Sequence, residues 1–517
     1  MSMWPALPLA LPLLASPQIA DGADWQAWIV RLLIALFLLG MIQSGYTCWL
    51  ARRTIRTQID APKPTLTEVT DLAAGQGRPL PFIAILVPAR DEAAVIHNTL
   101  ARLSQLDYPR DRYAVVVIVD AREQPADGGA TTRQIAEAVG RTWRQGLDQP
   151  LLRVLEVPDA YGGKFGDPRP THARSTKGRA LNYALEHVRE DAHLSRADML
   201  GLLDADGRLH PAVLREVAWK VLSTGSRLLQ GPVFQVSNLQ AVGLIGKAAG
   251  IELSIYHLTT LARQLLSCRK TARFLAGTNY FIESRLMMAV GGWDDTALVE
   301  DAELGLRVFL FDKVVPHWLS CHEIEQTPPD QASYLRQRHR WALGHLQLLP
   351  VIRRSTLPWP AKLQLQVRVL HALWMCPFDL GLPVLSWTAL ALGWATTSSP
   401  TLNGVMVSLS FGSLFVWDYF GRGARMLNPH RTRPAGRLSN GWLSVQFVAA
   451  MPWLMVIQAV PRITALTCYL AGQKNPAWSK TPRTAEARQA MPMATLVLRG
   501  GDVTAETQRG GQTATGS

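Results

Sequence analysis

The 517-residue chain carries 53 Lys and Arg against 40 Asp and Glu, a formal net charge of +13, with 48% apolar but only 18% charged residues. That leaves room for one large domain or two ordinary ones, and less charge than the quarter or so usual in a wholly water-facing protein. It excludes disorder, collagen-like repetition and a small disulfide scaffold as descriptions of the whole. Five cysteines, Cys48, Cys268, Cys321, Cys376 and Cys468, lie far apart without disulfide or metal-ligand spacing, so a reduced compartment fits them.

In chain order, the first strong signal is the apolar run 28–50, broken by Arg31 and followed by Arg52, Arg53 and Arg56. Its length suits a crossing of a hydrocarbon core about 30 Å thick, and the trailing arginines predict that the chain beyond it is cytoplasmic. The preceding apolar stretch 3–15 is short, proline-punctuated and lacks a basic leader, so it reads poorly as a signal peptide.

From position 81 the pattern changes. FIAILVPARDEAAVI predicts an apolar strand, a proline stop and a helix running through Asn98 and Leu103. YAVVVIVD, 113–120, predicts a second strand that ends in Asp120. Continuous apolar strands alternating with helices point to an α/β, doubly wound sheet covered on both faces, whose ligands bind beyond the carboxyl ends of the strands. STKGRALNYALEHV predicts a helix with Lys177 near its start and an apolar stripe through Leu181, Ala184, Leu185 and Val188. MLGLLDADG then predicts a strand closed by Asp204 and Asp206. Such a carboxylate pair suits Mg²⁺ or Mn²⁺, which prefer oxygen ligands and offset the charge of a departing diphosphate. A capped Asp-x-Asp-Gly turn is the commoner meaning of the motif alone.

Further along, Glu300 and Asp301 follow the turn Gly291, Gly292, Trp293 and open an amphipathic helix. Acids there suit the positive end of a helix dipole, and Asp301 could equally act as a base toward a hydroxyl. In YLRQRHRWALGHLQLL, Gln337, Arg340 and Trp341 fall within about one helical turn and bring together an amide, a fixed cation and an aromatic plate, suited to diphosphate and sugar. Three more apolar stretches follow, 369–396, 404–419 and 442–470, with a basic loop containing Arg422, Arg425, Arg431, Arg433 and Arg437 between the last two. Together they read as membrane helices with a cytoplasmic loop. Pro461 and Arg462 suit an interfacial helix in the second half of the last stretch. Basic loops of this kind argue for topology rather than nucleic acid, and none is expected as a partner.

In this order, Asp120, the Lys177 to Asn182 segment, the Asp204 and Asp206 pair, the Glu300 and Asp301 pair and the Gln337, Arg340, Trp341 motif resemble the membrane-integrated family 2 glycosyltransferases of the cellulose-synthase-like polysaccharide synthase group. The resemblance implies a GT-A-like doubly wound catalytic domain inserted between transmembrane helical regions. It implies a membrane region at 1–56 with a span near 28–50, a linker at 57–80, the cytoplasmic transferase domain at 81–350, membrane and interfacial helices at 351–474, and a polar, largely disordered tail at 475–517. It also implies inverting, metal-dependent transfer (EC 2.4.1.-) from a nucleotide-diphosphate sugar, most often a UDP-sugar, to a growing β-linked polysaccharide, coupled to export through a partner. Transfer of one sugar to a membrane lipid and a silent nucleotide-binding scaffold are the alternatives, and the glycan or lipid acceptor and membrane lipids complete the expected partners. The implied roles are catalytic base for Asp301, donor binding for Asp120, Lys177 and Asp204, acceptor or diphosphate binding for Gln337, Arg340 and Trp341, and Mg²⁺ or Mn²⁺ ligation for Asp204 and Asp206. The chain departs from the family pattern where Val299 replaces the usual threonine, and where Val119 and Ala121 flank a lone Asp120. The resulting location is an integral plasma or inner membrane protein.

Overall fold

The computed structural model describes residues 24–124, 129–143, 151–167, 175–267, 271–374, 437–473 and 481–486. The elements run α1 (Asp24–Thr54), α2 (Leu66–Gly75), β1 (Ile83–Pro88), α3 (Ile96–Leu103), β2 (Tyr113–Asp120), α4 (Thr132–Trp143), β3 (Leu152–Val157) and α5 (Lys177–Glu190). Then come β4 (Met199–Leu202), β5 (Arg208–Leu209), α6 (Val213–Thr224), β6 (Leu228–Gln230), β7 (Val233–Gln235), α7 (Leu244–Tyr256) and α8 (Ala262–Leu265). The chain continues through β8 (Tyr280–Glu283), α9 (Ser284–Ala289), α10 (Glu300–Asp312), β9 (His317–Trp318), β10 (Glu323–Glu325), α11 (Gln331–Arg354) and α12 (Trp359–Trp374), and the last described helix is α13 (Arg437–Leu470).

Seven strands form one sheet in the order β3-β2-β1-β4-β8-β6-β9, and β5-β10-β7 form a second, smaller one. β1 pairs parallel with β2 and with β4, and β2 pairs parallel with β3. β8 is antiparallel to both β4 and β6, so the large sheet is mixed. Strand periodicity explains how it is covered on both faces. Ile83, Ile85 and Val87 of β1 pack with Val69 of α2, Leu100 of α3, Val139 of α4 and Val217 of α6, while the intervening Ala84 and Leu86 pack with Leu181 and Leu185 of α5, Met287 of α9 and Leu304 of α10. The expected α/β sheet covered on both faces is therefore present, and the carboxyl ends of β1, β2 and β4 open on one edge.

The flanking membrane regions are corrected. Among the described residues no helix is long and apolar enough to cross a membrane. α1 is interrupted by Arg31 and Gln43, and Ala51 at its end and Ile55 beyond it pack on Phe234 and Leu258. α13 carries Gln446, Gln458 and Arg462. It sets Leu454 against Ile251 of α7, Ile457 against Tyr334 of α11, and Ala465 among the apolar residues of α10, α11 and α12. Apolar residues read from the sequence as lipid-facing thus include several that face protein. The integral-membrane, cellulose-synthase-like assignment and the plasma or inner membrane location derived from it fall with the spans. Most of the expected stretch 369–396, all of 404–419 and most of the basic loop lie outside the described residues.

Candidate active site

A cavity of about 1150 Å³ opens at the strand edge and is lined by Asp120, Lys177, Asp204, Asp301, Gln337, Arg340 and Trp341. Seven of the eight site residues expected from the sequence therefore face one space. The eighth, Asp206, is 2% exposed and lies behind its wall. The cavity is large enough for a nucleotide sugar and part of an acceptor.

Asp120 stands at the end of β2, buried, where the backbone N–H of Arg122 donates to its Oδ1 at 2.9 Å. Ser175 Oγ donates to its Oδ2, and Arg179 Nη1 lies 3.7 Å from the same oxygen. β4 ends at Leu202 and the chain turns, with the Gly207 N–H donating to the Asp204 carbonyl at 2.8 Å. The glycine is required there, since a Cβ at 207 would stand 2.1 Å from Glu323 Oε1. This turn brings Asp204 and Asp206 to Glu325, at the end of β10, so that one oxygen from each lies within 4.8 Å of the others.

Lys177, the first residue of α5, is enclosed by acids and carbonyls. Its Nζ donates to Asp204 Oδ1 at 2.5 Å and to the Gly277 carbonyl at 2.7 Å, and lies 3.9 Å from Glu300. Burial opposes its charge, but Asp204 and Glu300 outweigh that and raise its pKa. The pKa of Glu300 is raised as well: burial, countered by Lys177 and aided by Asp301, pushes it up to about 7. Next to it, Asp301 accepts from the backbone N–H of Gly277 through Oδ2, and Gly277 has φ +54°. That left-handed residue lets one turn present its N–H to Asp301 and its carbonyl to Lys177.

On α11, Gln337 is buried with Oε1 lacking a hydrogen-bond partner. Arg340 Nη1 donates to the Leu298 carbonyl at 3.4 Å while its Nε, also buried, has no partner. Trp341 is covered by the guanidinium of Arg338, 4.7 Å from the ring centroid, and Arg338 pairs with Glu252 at 3.3 Å. The cavity continues between helices, where Leu253, Tyr256, Leu346, Val367 and Arg368 line it.

Three participants escaped sequence reasoning. Glu325 sits in EIE, whose alternate residues share a strand face, so a second acid pair was visible although its meeting with Asp204 was not. Glu92, in the loop after β1, had no local signal, and Arg483 lies in NPAWSKTPRT, a segment that shares the family resemblance but was given no role at the site. Arg483 Nη2 lies 2.8 Å from Asp206 Oδ1 and its Nε 3.5 Å from Glu92. Residues 481–486 were expected within a polar, disordered tail, yet they are held against this site; the rest of 475–517 lies outside the described residues.

The three acids fit a divalent cation. Glu325 Oε1 is a buried oxygen without a hydrogen-bond donor, and Asp206 Oδ1 is met by the Arg483 guanidinium. Burial, with Asp204 and Asp206 nearby, pushes Glu325 up to about 8, and burial with Asp204 raises Asp206 despite Arg483. A hard cation with oxygen preference answers both features, and a divalent metal is the cofactor this donor set serves.

Residues 200–416 match the family model described as "Glycosyl transferase family group 2". The chain is 25% identical over 266 residues to a probable glycosyltransferase, YdaM, of Bacillus subtilis, covering 52% of this chain and 56% of the relative. It is 26% identical over 310 residues to a beta-monoglucosyldiacylglycerol synthase of Synechocystis sp., covering 59% and 57%. It thus spans a little over half the length of these curated relatives. Among solved structures, a mannosyltransferase of Pyrobaculum calidifontis in complex with GDP-Man and Mn²⁺ is similar over 84% of this chain and 99% of its own, at 18% identity and a TM-score of 0.46. The matched segment resembles family 2 glycosyltransferases, and the acidic cluster within it suits a divalent metal.

Proposed function

We propose that the protein transfers a sugar from a nucleotide-diphosphate sugar, a UDP-sugar in the first instance, to an acceptor hydroxyl with inversion at the anomeric carbon. The observation that carries this reading is that Asp301, the acid Asp204 and the cations Lys177 and Arg340 line one cavity. Asp301 takes the proton from the acceptor hydroxyl as its oxygen bonds to the anomeric carbon and the nucleotide diphosphate leaves. Its Oδ2 is fixed by the Gly277 N–H, so the carboxylate is held in one orientation before the acceptor arrives. Asp120 holds the nucleotide, Lys177 meets the diphosphate with Asp204, and Gln337 and Arg340 supply unsatisfied polar atoms beside the Trp341 plate on the acceptor side. A divalent metal would be held by Asp204, Asp206 and Glu325, and when bound it neutralises charge on the departing diphosphate.

Two acceptors suit this site. A growing β-linked polysaccharide is favoured by the Gln337, Arg340 and Trp341 group along one helix. A lipid-borne hydroxyl is favoured by the apolar wall of Leu253, Leu346 and Val367 beyond it, and by what the Synechocystis relative is named for making. Coupling to export rested on the spans and is not part of either reading. The test is to supply the purified full chain with Mg²⁺ or Mn²⁺, labelled nucleotide sugars, and either oligosaccharide or diacylglycerol acceptor, and to size the product. A polymer supports the first reading and a single-sugar lipid the second. Absence of transfer with every donor and acceptor, with nucleotide binding intact, overturns both.

A further inference from the structure

The cation that this structure places beside Asp206 comes from the chain itself. Arg483 is largely buried at the cavity wall, its Nη2 2.8 Å from Asp206 Oδ1 and its Nε 3.5 Å from Glu92. The segment that carries it is fastened at Thr484 and Glu486. Gln326 Nε2 donates to the Thr484 carbonyl at 2.8 Å and accepts from the Thr484 N–H through Oε1 at 2.7 Å. Asn238 Nδ2 donates to Thr484 Oγ1 at 3.1 Å. Glu486 accepts from Gln326 at 2.9 Å and from Asn98 at 3.2 Å, and pairs with Arg208 at 2.6 Å. Gln326 also donates its backbone N–H to Asp206 Oδ2 at 2.9 Å. One residue thus ties the segment to an acid of the proposed metal set.

We infer that residues 481–486 form a strap whose Arg483 guanidinium and a divalent cation compete for Asp206, so that metal binding releases the strap and the strap holds the site closed to metal. The argument is one of oxygen supply and charge. Glu92, Asp204, Asp206 and Glu325 crowd together, with Lys177 already bonded to Asp204 and Arg483 placed between Glu92 and Asp206. Arg483 answers that crowding with a single charge and a planar fork, while a divalent ion answers it with two charges and shorter bonds to the same Asp206 Oδ1. Two cations held at one oxygen repel each other, so each weakens the other's hold. The energetic cost of displacing Arg483 is therefore subtracted from metal affinity, and by linkage the metal weakens the strap by the same factor.

The inference rests on the metal reading of Asp204, Asp206 and Glu325, and its test keeps the two apart. Mn²⁺ alone, without donor, is titrated calorimetrically into the metal-free full chain, and hydrogen exchange of 481–486 is followed with and without Mn²⁺. Arg483→Ala is expected to tighten Mn²⁺ binding about tenfold or more, the scale of one lost charged contact. Glu486→Gln, which loosens the strap without touching the acids, should tighten it by a smaller factor, and Mn²⁺ should speed exchange of 481–486 in the wild type. Binding that is abolished by Asp206→Asn but unchanged or weakened by Arg483→Ala overturns the competition and leaves the metal site standing. Mn²⁺ binding that is absent from every variant, or indifferent to Asp206→Asn, overturns both.

Discussion

In the proposed reaction Asp301 carries the chemistry at the scale of single residues, and that role separates from binding. Asp301→Asn keeps the shape and the Gly277 contact but cannot take a proton, so transfer should fall by about 10² to 10⁴ with donor affinity largely kept. Single-turnover rates beside donor titration measure the two; near-normal transfer would remove Asp301 from the base role. Gly277→Ala should lower transfer more modestly, because a side chain at φ +54° is strained and its Cβ would stand 3.5 Å from Asp301 Oδ2. A fall in kcat with little change in KM for donor is the expected pattern. Much of this was legible locally. Asp120 ends a run of β-branched residues and Asp204 follows an apolar strand, so both were placed at a strand edge before the fold was known. The meeting of Arg483 with Glu92 and Asp206 was not legible, because it joins segments separated by hundreds of residues.

β10 shows what an element can hide. Its alternation sends Glu323 and Glu325 inward, and Glu323 is relieved by Thr278 Oγ1, which donates to its Oε2 at 2.8 Å, while burial raises its pKa well above the ordinary range. Glu325 has an ordinary value of 4.5 and is pushed up to about 8, and Glu300 to about 7. A carboxyl whose folded pKa is raised contributes stability that is complete below the unfolded pKa and lost as pH rises through the folded one. In the metal-free protein that loss runs between 4.5 and about 8 for Glu325. Glu325→Gln cannot ionise, so its Tm should match the wild type near pH 4.5 and exceed it progressively up to pH 8; parallel Tm curves would contradict the assignment. α13 supplies a second test at this scale. Ile457 is 3% exposed and packs with Ala249 and Tyr334, so Ile457→Ala should cost about 2 to 5 kcal/mol in urea denaturation. An effect under about 1 kcal/mol would show that the helix is not anchored there.

For the whole molecule, strand alternation explains why the sheet could be anticipated. Successive residues of β1 and β2 serve opposite faces, and a sheet covered on both reads as unbroken apolar sequence. The same kind of composition misled at the ends of the chain. An apolar helix packed on protein and one meant for lipid differ in partners rather than in residue type, and Ile457 and Ala465 are satisfied by α7, α10, α11 and α12. Topology also explains the site. Parallel β1, β2 and β4 bring Asp120 and Asp204 to one edge, the small sheet adds Glu325, and α10 and α11 close the cavity with Asp301 and the Gln337, Arg340, Trp341 group.

The most direct measurement is the anomeric configuration of the product formed from an α-linked, isotopically labelled UDP-sugar, read by NMR on the full chain loaded with Mn²⁺, beside the same reaction with Asp301→Asn. Direct displacement with Asp301 as base predicts a β-linked product from the wild type, and almost none from the variant while donor still binds. An α-linked product, or a variant that transfers as the wild type does, would contradict it.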